Sequence, residues 1–289
     1  CTGDRGLIDS LRATEAIANQ LGLLQEEVLI CSTGVIGELI PMQKLIAGID
    51  PLLKDLADDG GTNAANAILT TDLIKKQIAI EAFLGGRRVR IGGMAKGSGM
   101  IHPDMATMLA FLSCDVGLSA DVWSQMIKRV TNLSFNAITV DGDTSTNDSF
   151  IAFAAGDQLD QKYLYDLELG LVEVTQYLAK AIARDGEGSN CLIEVKIEGS
   201  NSSENAIKIA RTIASSSLVK TAINGMDPNW GRIVAALGRS GVDVDLKEVS
   251  LWIGPYQLMK KGEPAWFSKK EVSAYIKNRM NAEYLDEDT

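Results

Sequence analysis

The chain contains a single histidine, and none of its four cysteines lies close enough to another to form a Cys-x-x-Cys pair. Zinc sites built on histidine pairs or on His-Glu motifs are therefore excluded. Cys31, Cys114 and Cys191 lie in or beside apolar runs, so we interpret them as buried free thiols. We expect no metal site.

Long apolar runs and excess positive charge are also missing. No apolar run approaches the roughly 18 residues that span a bilayer, and no signal peptide is recognisable. The chain has 28 Lys and Arg against 38 Asp and Glu, a net charge of −10. Nucleic acids and anionic membranes bind clustered Lys and Arg, so neither is an expected partner. We expect a globular enzyme that is cytoplasmic or already processed.

Helical and strand-like periods alternate along the chain without an internal repeat, and with 46% hydrophobic residues the chain can bury a large core. Gly85-Gly86 predicts a hairpin turn between two strands. The pattern predicts an α+β or layered α/β fold, and no Rossmann or P-loop glycine motif follows a strand. The predicted helices cover residues 7–21, 42–53, 63–69, 121–135, 163–184 and 206–216, and the predicted strands cover 28–31, 77–84, 88–91, 107–115, 150–155, 191–197 and 249–253.

The segment from Met94 to Cys114 indicates a self-cleavage site. A Gly-rich loop containing Pro103 ends at Ala106, and from Thr107 onward the sequence is an apolar run that suits a buried strand. If the bond between Ala106 and Thr107 is cut, the new α-amine of Thr107, with a reference pKa of about 8, can act as base for its own hydroxyl. Although a threonine at a strand start is more commonly a simple β-former, this context favours a nucleophile.

Several sequence blocks resemble, in the same order, the signature blocks of the ornithine acetyltransferase family, the ArgJ-type glutamate N-acetyltransferases. The processing site is matched by Lys-Gly-Ser-Gly-Met at residues 96–100 and Met-Ala-Thr-Met-Leu at 105–109. The resemblance extends from Cys1 to about Arg239. The other matching blocks are residues 31–37, 139–148, 185–188 and 227–233.

The resemblance implies an N-terminal-nucleophile-like fold of the ArgJ/DmpA type, cut into two chains that share one core. The N-terminal segment would cover residues 1–106 and the C-terminal segment residues 107–289. Family members begin earlier and continue into a tail that binds substrate. We therefore expect this chain to be a fragment that lacks both the N-terminal part and the C-terminal tail.

The activity implied by the resemblance is transfer of an acetyl group from N2-acetylornithine to glutamate, by a ping-pong route through acetyl-Thr107. No cofactor is implied, although some family members also use acetyl-CoA as donor. The family further suggests a heterotetramer of two N-terminal and two C-terminal chains. The alternatives are an N-terminal-nucleophile aminopeptidase or amidase of the same fold, with water as acceptor, and an uncut ligand-binding protein.

The resemblance also assigns site residues. Thr33 and Gly34 would form an oxyanion hole, for which turn amides and a hydroxyl are suitable donors. Thr70, Lys96, Thr107 and Glu187 would bind substrate. Lys96 would contact a substrate carboxylate, and Glu187 would pair with a cationic amine of ornithine or position the amine that is acetylated. Taken alone, each assignment has a simpler interpretation. Thr33 and Gly34 would form a plain turn, and Thr70 would cap a helix end. Lys96 would be a solvated loop charge, and Glu187 would belong to a C-capping acidic loop.

Other polar residues near these blocks receive weaker assignments. Thr71 competes with Thr70 as the substrate contact. His102 is more simply a loop-packing residue than the centre of a Ser-His-Asp triad. Residues 141–148 lack the Gly and Glu placements of an EF-hand, so we interpret them as a polar turn that braces the active site, with Asn147 and Asp148 as supporting groups. Residues 227–232 receive only a structural role.

Overall fold

The computed structural model describes residues 2–102 and 108–280. Its main feature is a four-stranded sheet in which β1 and β2 pair antiparallel, β2 and β3 pair antiparallel, and β3 and β4 pair parallel. The strands are β1 (Lys76–Leu84), β2 (Arg87–Lys96), β3 (Leu109–Cys114) and β4 (Ser149–Ala154). Because β3 lies between β2 and β4, the chain on both sides of residues 103–107 belongs to one sheet. The division of the chain at residue 106 itself stays a prediction.

The hairpin predicted at Gly85-Gly86 is confirmed. Both glycines have positive φ, 63° and 81° respectively, as a type I′ turn between antiparallel strands requires. Leu84 and Arg87 close the ladder on either side of the turn. The turn therefore fixes the register that places Lys76 opposite Ala95 at the far end of the hairpin.

Helices cover one face of this sheet. The long helix α5 (Leu164–Arg184) lies across β1 and β2, and α4 (Ala120–Leu133) packs on α5. Alternate apolar residues of the strands face α5, among them Ile91 and Leu112, while Leu171 and Leu178 of α5 are fully buried against them. The helices of the described chain before residue 185 are α1 (Gly3–Leu21), α2 (Met42–Lys54), α3 (Gly61–Ala67), α4 (Ala120–Leu133) and α5 (Leu164–Arg184).

The C-terminal part forms a second, smaller cluster around α6 and α8, with Ile209, Ile213 and Leu237 at its centre. Its short sheet has strand order β5-β6-β7. Its elements are α6 (Ser203–Ala214), α7 (Ser217–Asn224), α8 (Trp230–Gly238), β5 (Leu251–Ile253), β6 (Tyr256–Lys260), β7 (Glu263–Pro264) and α9 (Lys269–Met280). In the described chain, no helix is long and apolar enough to cross a bilayer.

Two predicted strands are wrong. Residues 28–31 and 191–197 carry no strand hydrogen-bonding, and within residues 2–102 and 108–280 neither segment is paired in a ladder. An apolar run becomes a strand only where a neighbour accepts its backbone hydrogen bonds. Residues 191–197 instead contribute Val195 and Ile197 to the second apolar cluster.

We expect Leu171→Ala to lower the free energy of unfolding by about 2–5 kcal/mol, because it leaves a cavity in a close-packed core. The matched control on the same helix is Leu169→Ala, since the Leu169 side chain is 50% exposed. Its effect should stay within about 0.5 kcal/mol. Urea unfolding followed by circular dichroism measures both. Equal losses in the two variants would contradict the packing described for α5.

Candidate active site

Lys96 ends β2 with its side chain turned into the protein, where the residue is only 3% exposed. Its Nζ donates a hydrogen bond to Thr70 Oγ1 at 3.3 Å. Thr70 belongs to the irregular segment between α3 and β1. Two residues predicted to bind substrate are therefore in contact. The choice of Thr70 over Thr71 as the substrate contact stays a prediction.

Glu187 lies in the turn after α5, close to the same strand end. Its backbone N–H donates to the Ser98 carbonyl at 2.9 Å. A Cβ placed on Gly99 would lie 2.6 Å from Glu187 Cδ, so the carboxyl rests directly on this glycine. Glu187 is exposed and lines a cavity of about 560 Å³ that Val140 and Lys220 also border. Residues 96–99 thus bring together three of the four predicted substrate residues, and the fourth, Thr107, lies outside the described residues.

Beneath this segment lies a buried ion cluster formed by Lys76, Asp72 and Asp185. The Lys76 ammonium donates to Asp72 Oδ1 at 2.7 Å and to Asp185 Oδ2 at 2.6 Å. The side chains of Lys76 and Asp72 are fully buried, and that of Asp185 is 4% exposed. A buried ammonium requires such partners because water no longer solvates it.

Asp72 is the branch point of the cluster. Besides accepting from Lys76, its carboxylate accepts from the Gly97 N–H at 2.7 Å and from the Thr70 N–H at 3.2 Å. Asp185 in turn accepts from the Leu73 N–H at 3.0 Å. The cluster therefore fixes the backbone on both sides of the contact between Thr70 and Lys96.

The charges of the cluster act on the pKa of Asp72 and on that of the neighbouring Lys96. Burial acts to raise the pKa of Asp72, but hydrogen bonds from Lys76 and Gly97, together with the Lys76 charge, outweigh it and leave the pKa below its ordinary value. Burial lowers the pKa of Lys96, and the Asp72 and Asp148 charges oppose this lowering only in part. Lys96 is thus a cation whose charge depends on a neighbouring carboxylate.

A second carboxylate, that of Asp141, holds the chain that leads to residues 103–107. It accepts from the Met100 N–H at 2.6 Å and from the Ile101 N–H at 3.1 Å. The Val140 N–H donates to the Ile101 carbonyl at 2.6 Å, and Lys220 of α7 donates to the Val140 carbonyl. Residues 141–148 therefore do form a polar bracing loop, and its anchoring residue is Asp141.

The predicted oxyanion turn lies in an irregular segment, with Thr33 half-buried and Gly34 exposed. The neighbouring Ser32 carbonyl accepts a hydrogen bond from Asn147 Nδ2, which joins this turn to the 141–148 loop. In the described part of the chain, no hydrogen bond links Thr33 or Gly34 directly to Lys96. The oxyanion role stays a prediction.

Ala106 and Thr107 lie outside the described residues. Immediately after them, Met108 is 3% exposed, and its carbonyl accepts from the Ser149 N–H at 3.0 Å. This bond begins the parallel pairing of β3 with β4. Asp148, the residue before Ser149, therefore lies next to Met108.

Asp148 is a buried carboxylate without a matched donor. Both of its carboxylate oxygens are shielded from water, and among the described residues none makes a hydrogen bond of normal geometry to them. Burial raises the Asp148 pKa to about 7, although the Met108 backbone N–H and the Lys96 ammonium lie close enough to oppose the rise. The Lys96 charge at the end of β2 therefore acts on the Asp148 carboxyl at the start of β4 without forming an ion pair with it among the described residues.

His102 contacts Thr139, with 2.9 Å between Nδ1 and Oγ1, and its carbonyl accepts from the Thr144 hydroxyl. These contacts fit the loop-packing interpretation. In residues 2–102 and 108–280, no three side chains of His, Cys, Asp or Glu come together in a way that could hold a metal ion. The prediction of a site without a metal remains open.

We expect Asp148→Asn to stabilise the protein at high pH. The pKa of Asp148 is about 7 in the folded chain and 3.8 in the unfolded reference, so ionisation increasingly destabilises the folded state as the pH rises between these values. The variant should unfold at a higher temperature than the wild type at about pH 8, and the difference should shrink towards about pH 4.

The matched control for this experiment is Asp143→Asn, which removes an exposed carboxylate from the same loop. Thermal unfolding of the wild type and both variants across this pH range makes the comparison. If the difference in unfolding temperature between Asp148→Asn and the wild type does not change with pH, the raised pKa of Asp148 is contradicted. The same pH dependence in Asp143→Asn would contradict its assignment to Asp148.

Comparison with known proteins gives a consistent result. The profile of the ArgJ family matches residues 1–283. A protein of Prochlorococcus marinus (strain MIT 9313), named arginine biosynthesis bifunctional protein ArgJ, is 62% identical over all of this chain and 68% of its own length. The protein of the same name from Parasynechococcus marenigrum (strain WH8102) is 64% identical over 96% of this chain and 68% of its own length.

A crystal structure also matches, that of the arginine biosynthesis bifunctional protein ArgJ from Bacillus halodurans. The TM-score is 0.54 at 40% sequence identity, covering 57% of this chain and 80% of that one. These matches confirm the family and the fold class that the sequence motifs predicted.

Proposed function

The chain belongs to the ArgJ family, and from this membership we propose that it is an acetyltransferase of arginine biosynthesis that moves the acetyl group of N2-acetylornithine to glutamate. The observation that carries the proposal is the grouping of Lys96, Thr70 and Glu187 around residues 96–99. A buried ammonium beside a hydroxyl suits an α-carboxylate, and an exposed carboxylate nearby suits a cationic amine. Both substrates carry an α-carboxylate, which fits a single site used twice.

The proposed reaction begins with maturation. The Thr107 hydroxyl attacks the Ala106 carbonyl, the Thr107 nitrogen leaves as an amine, and water hydrolyses the resulting ester. The free α-amine then serves as base for the Thr107 hydroxyl. Donors at Thr33 and Gly34 would stabilise the oxyanion in each step.

Acetyl transfer then proceeds in two halves. The Thr107 oxygen attacks the acetyl carbonyl of N2-acetylornithine, and ornithine leaves with the proton that the α-amine had taken from the hydroxyl. The α-amine of glutamate attacks the acetyl ester, and the proton returns to the Thr107 oxygen. Splitting one exchange between two amines into two steps lowers each barrier. Use of acetyl-CoA as a second donor, and assembly of two N-terminal with two C-terminal chains, are further parts of this proposal.

We expect the wild-type protein to separate into two fragments in intact-mass analysis, with N-terminal sequencing of the second fragment starting at Thr107. Thr107→Ala should remain a single chain because it lacks the attacking hydroxyl. Thr212→Ala is the matched control, since the Thr212 hydroxyl bonds only within α6 and should not affect cleavage. An uncut wild-type chain would refute the maturation step and favour the ligand-binding alternative.

The cleaved protein should release ornithine from N2-acetylornithine rapidly only when glutamate is present, with formation of N-acetylglutamate. Chromatography of both products with and without glutamate measures this dependence. Release of acetate at the same rate without glutamate would identify the amidase alternative instead.

A further inference from the structure

The buried ion cluster takes no part in the proposed chemistry, yet it is connected to each described segment that carries a proposed substrate residue. Asp72 accepts from the Thr70 N–H and the Gly97 N–H, so it spans the two segments that supply Thr70 and Lys96. Lys76 joins Asp72 to Asp185. Charged side chains that are buried this completely do not contribute to solubility. A role in the neighbouring site explains the position of Lys76, Asp72 and Asp185.

The third substrate residue is connected through Asp185. The Asp185 carbonyl accepts from the Ser98 hydroxyl at 2.7 Å, and the Ser98 carbonyl accepts from the Glu187 N–H at 2.9 Å. An uninterrupted set of hydrogen bonds and two ion pairs therefore runs from Thr70 through Asp72, Lys76, Asp185 and Ser98 to Glu187. Residues far apart in the sequence are held in one arrangement by it.

Charge balance indicates why Asp72 is the decisive member. Two ammonium groups, Lys76 and Lys96, and two carboxylates, Asp72 and Asp185, lie together with little water. Lys76 is the group shared by both carboxylates. Lys96 makes no ion pair of its own in the described chain and is stabilised at longer range by Asp72 and Asp148, while Lys76 opposes its charge. Removing the Asp72 charge would therefore leave the Lys76 ammonium opposing the Lys96 charge with less compensation.

We propose that Asp72 is a positioning residue for the acetyl-transfer site: with Lys76 it aligns Thr70 and Lys96, and it keeps Lys96 charged so that the α-carboxylate of each amino-acid substrate can bind. This proposal rests on the proposed function. It assigns Asp72 no contact with substrate and no part in the chemical step.

The test compares Asp72→Asn with wild type on two acetyl donors. For N2-acetylornithine, KM should rise between about 10-fold and 100-fold because the carboxylate site is misaligned and less cationic. p-Nitrophenyl acetate has neither a carboxylate nor an amine, so its reaction with Thr107, measured by nitrophenolate release, should change less than about 3-fold. A loss of general folding would lower both reactions equally.

The pH dependence supplies a second signature. Deprotonation of Lys96 at alkaline pH removes the carboxylate site, so KM for N2-acetylornithine should rise above the Lys96 pKa. The charges that face Lys96 are Asp72, Lys76 and Asp148. Because Asp72 raises the Lys96 pKa, its loss should move the alkaline rise in KM to lower pH. Glu168→Gln, which breaks an exposed ion pair with Arg129, is the control and should keep the wild-type profile.

A charge-neutral double variant covers the case in which Asp72→Asn does not fold. Asp72→Asn/Lys76→Met removes one carboxylate and one ammonium, a replacement that buried ion pairs often tolerate. It should show the same selective rise in KM. An unchanged KM in a folded variant, or equal loss of both reactions in both variants, would overturn the positioning role. A wild-type protein that reacts with p-nitrophenyl acetate but not with N2-acetylornithine would instead refute the proposed function.

Discussion

The complete burial of the Lys76 ammonium is the constraint on which the arrangement of the site depends. An ammonium without water needs carboxylates in direct contact, and Lys76 takes them from two places, Asp72 before β1 and Asp185 after α5. The start of the hairpin and the end of the longest helix must therefore meet at one point. The registers of β1 with β2 and the packing of α5 on both strands make that meeting possible.

The ion pairs of Lys76 with Asp72 and Asp185 help to determine the backbone conformation of residues 96–101. The Gly97 N–H donates to Asp72, and Ser98 is hydrogen-bonded to both Asp185 and Glu187. The Asp141 carboxylate accepts from the N–H groups of Met100 and Ile101. On the other side of residues 103–107, the pairing of β3 with β2 and β4 holds the chain from Met108 onward. These hydrogen bonds hold the backbone around Lys96 in one arrangement, which is the kind of preorganisation that acyl transfer benefits from.

Much of this fold could be predicted because it follows from short-range signals. The Gly85-Gly86 turn and the period of α5 are explicit in the sequence, and the motif blocks predicted the correct family. The strands at 28–31 and 191–197 were predicted wrongly because pairing is a long-range property that an apolar run does not encode. The roles of Thr70, Lys96 and Glu187 came from the resemblance. In the structure Lys96 contacts Thr70, and Glu187 contacts Gly99 three residues further along the chain from Lys96.

The ion cluster could not have been predicted in the same way. Lys76 follows another lysine in a polar segment, and no periodicity distinguishes a buried lysine from a solvated one. Asp72 has the sequence context of an ordinary polar residue after a helix end, and its hydrogen bond from the Thr70 N–H is a local one. Its remaining hydrogen bonds come from residues brought near only by the tertiary fold. Asp185 lies inside a motif block, which marked its neighbourhood but not its role.

Taken together, the site residues, their buried support and the family membership lead to one chemical claim, that the acetyl group passes through the Thr107 oxygen. The measurement that tests it most directly is mass spectrometry of the acid-quenched protein after mixing with N2-acetylornithine alone. We expect a C-terminal fragment that carries one acetyl group, which peptide sequencing locates on Thr107. This acetyl group should be lost when glutamate is added before the quench. Acetyl transfer to glutamate without any acetylated fragment, or an acetyl group on another residue that turns over with glutamate, would contradict it.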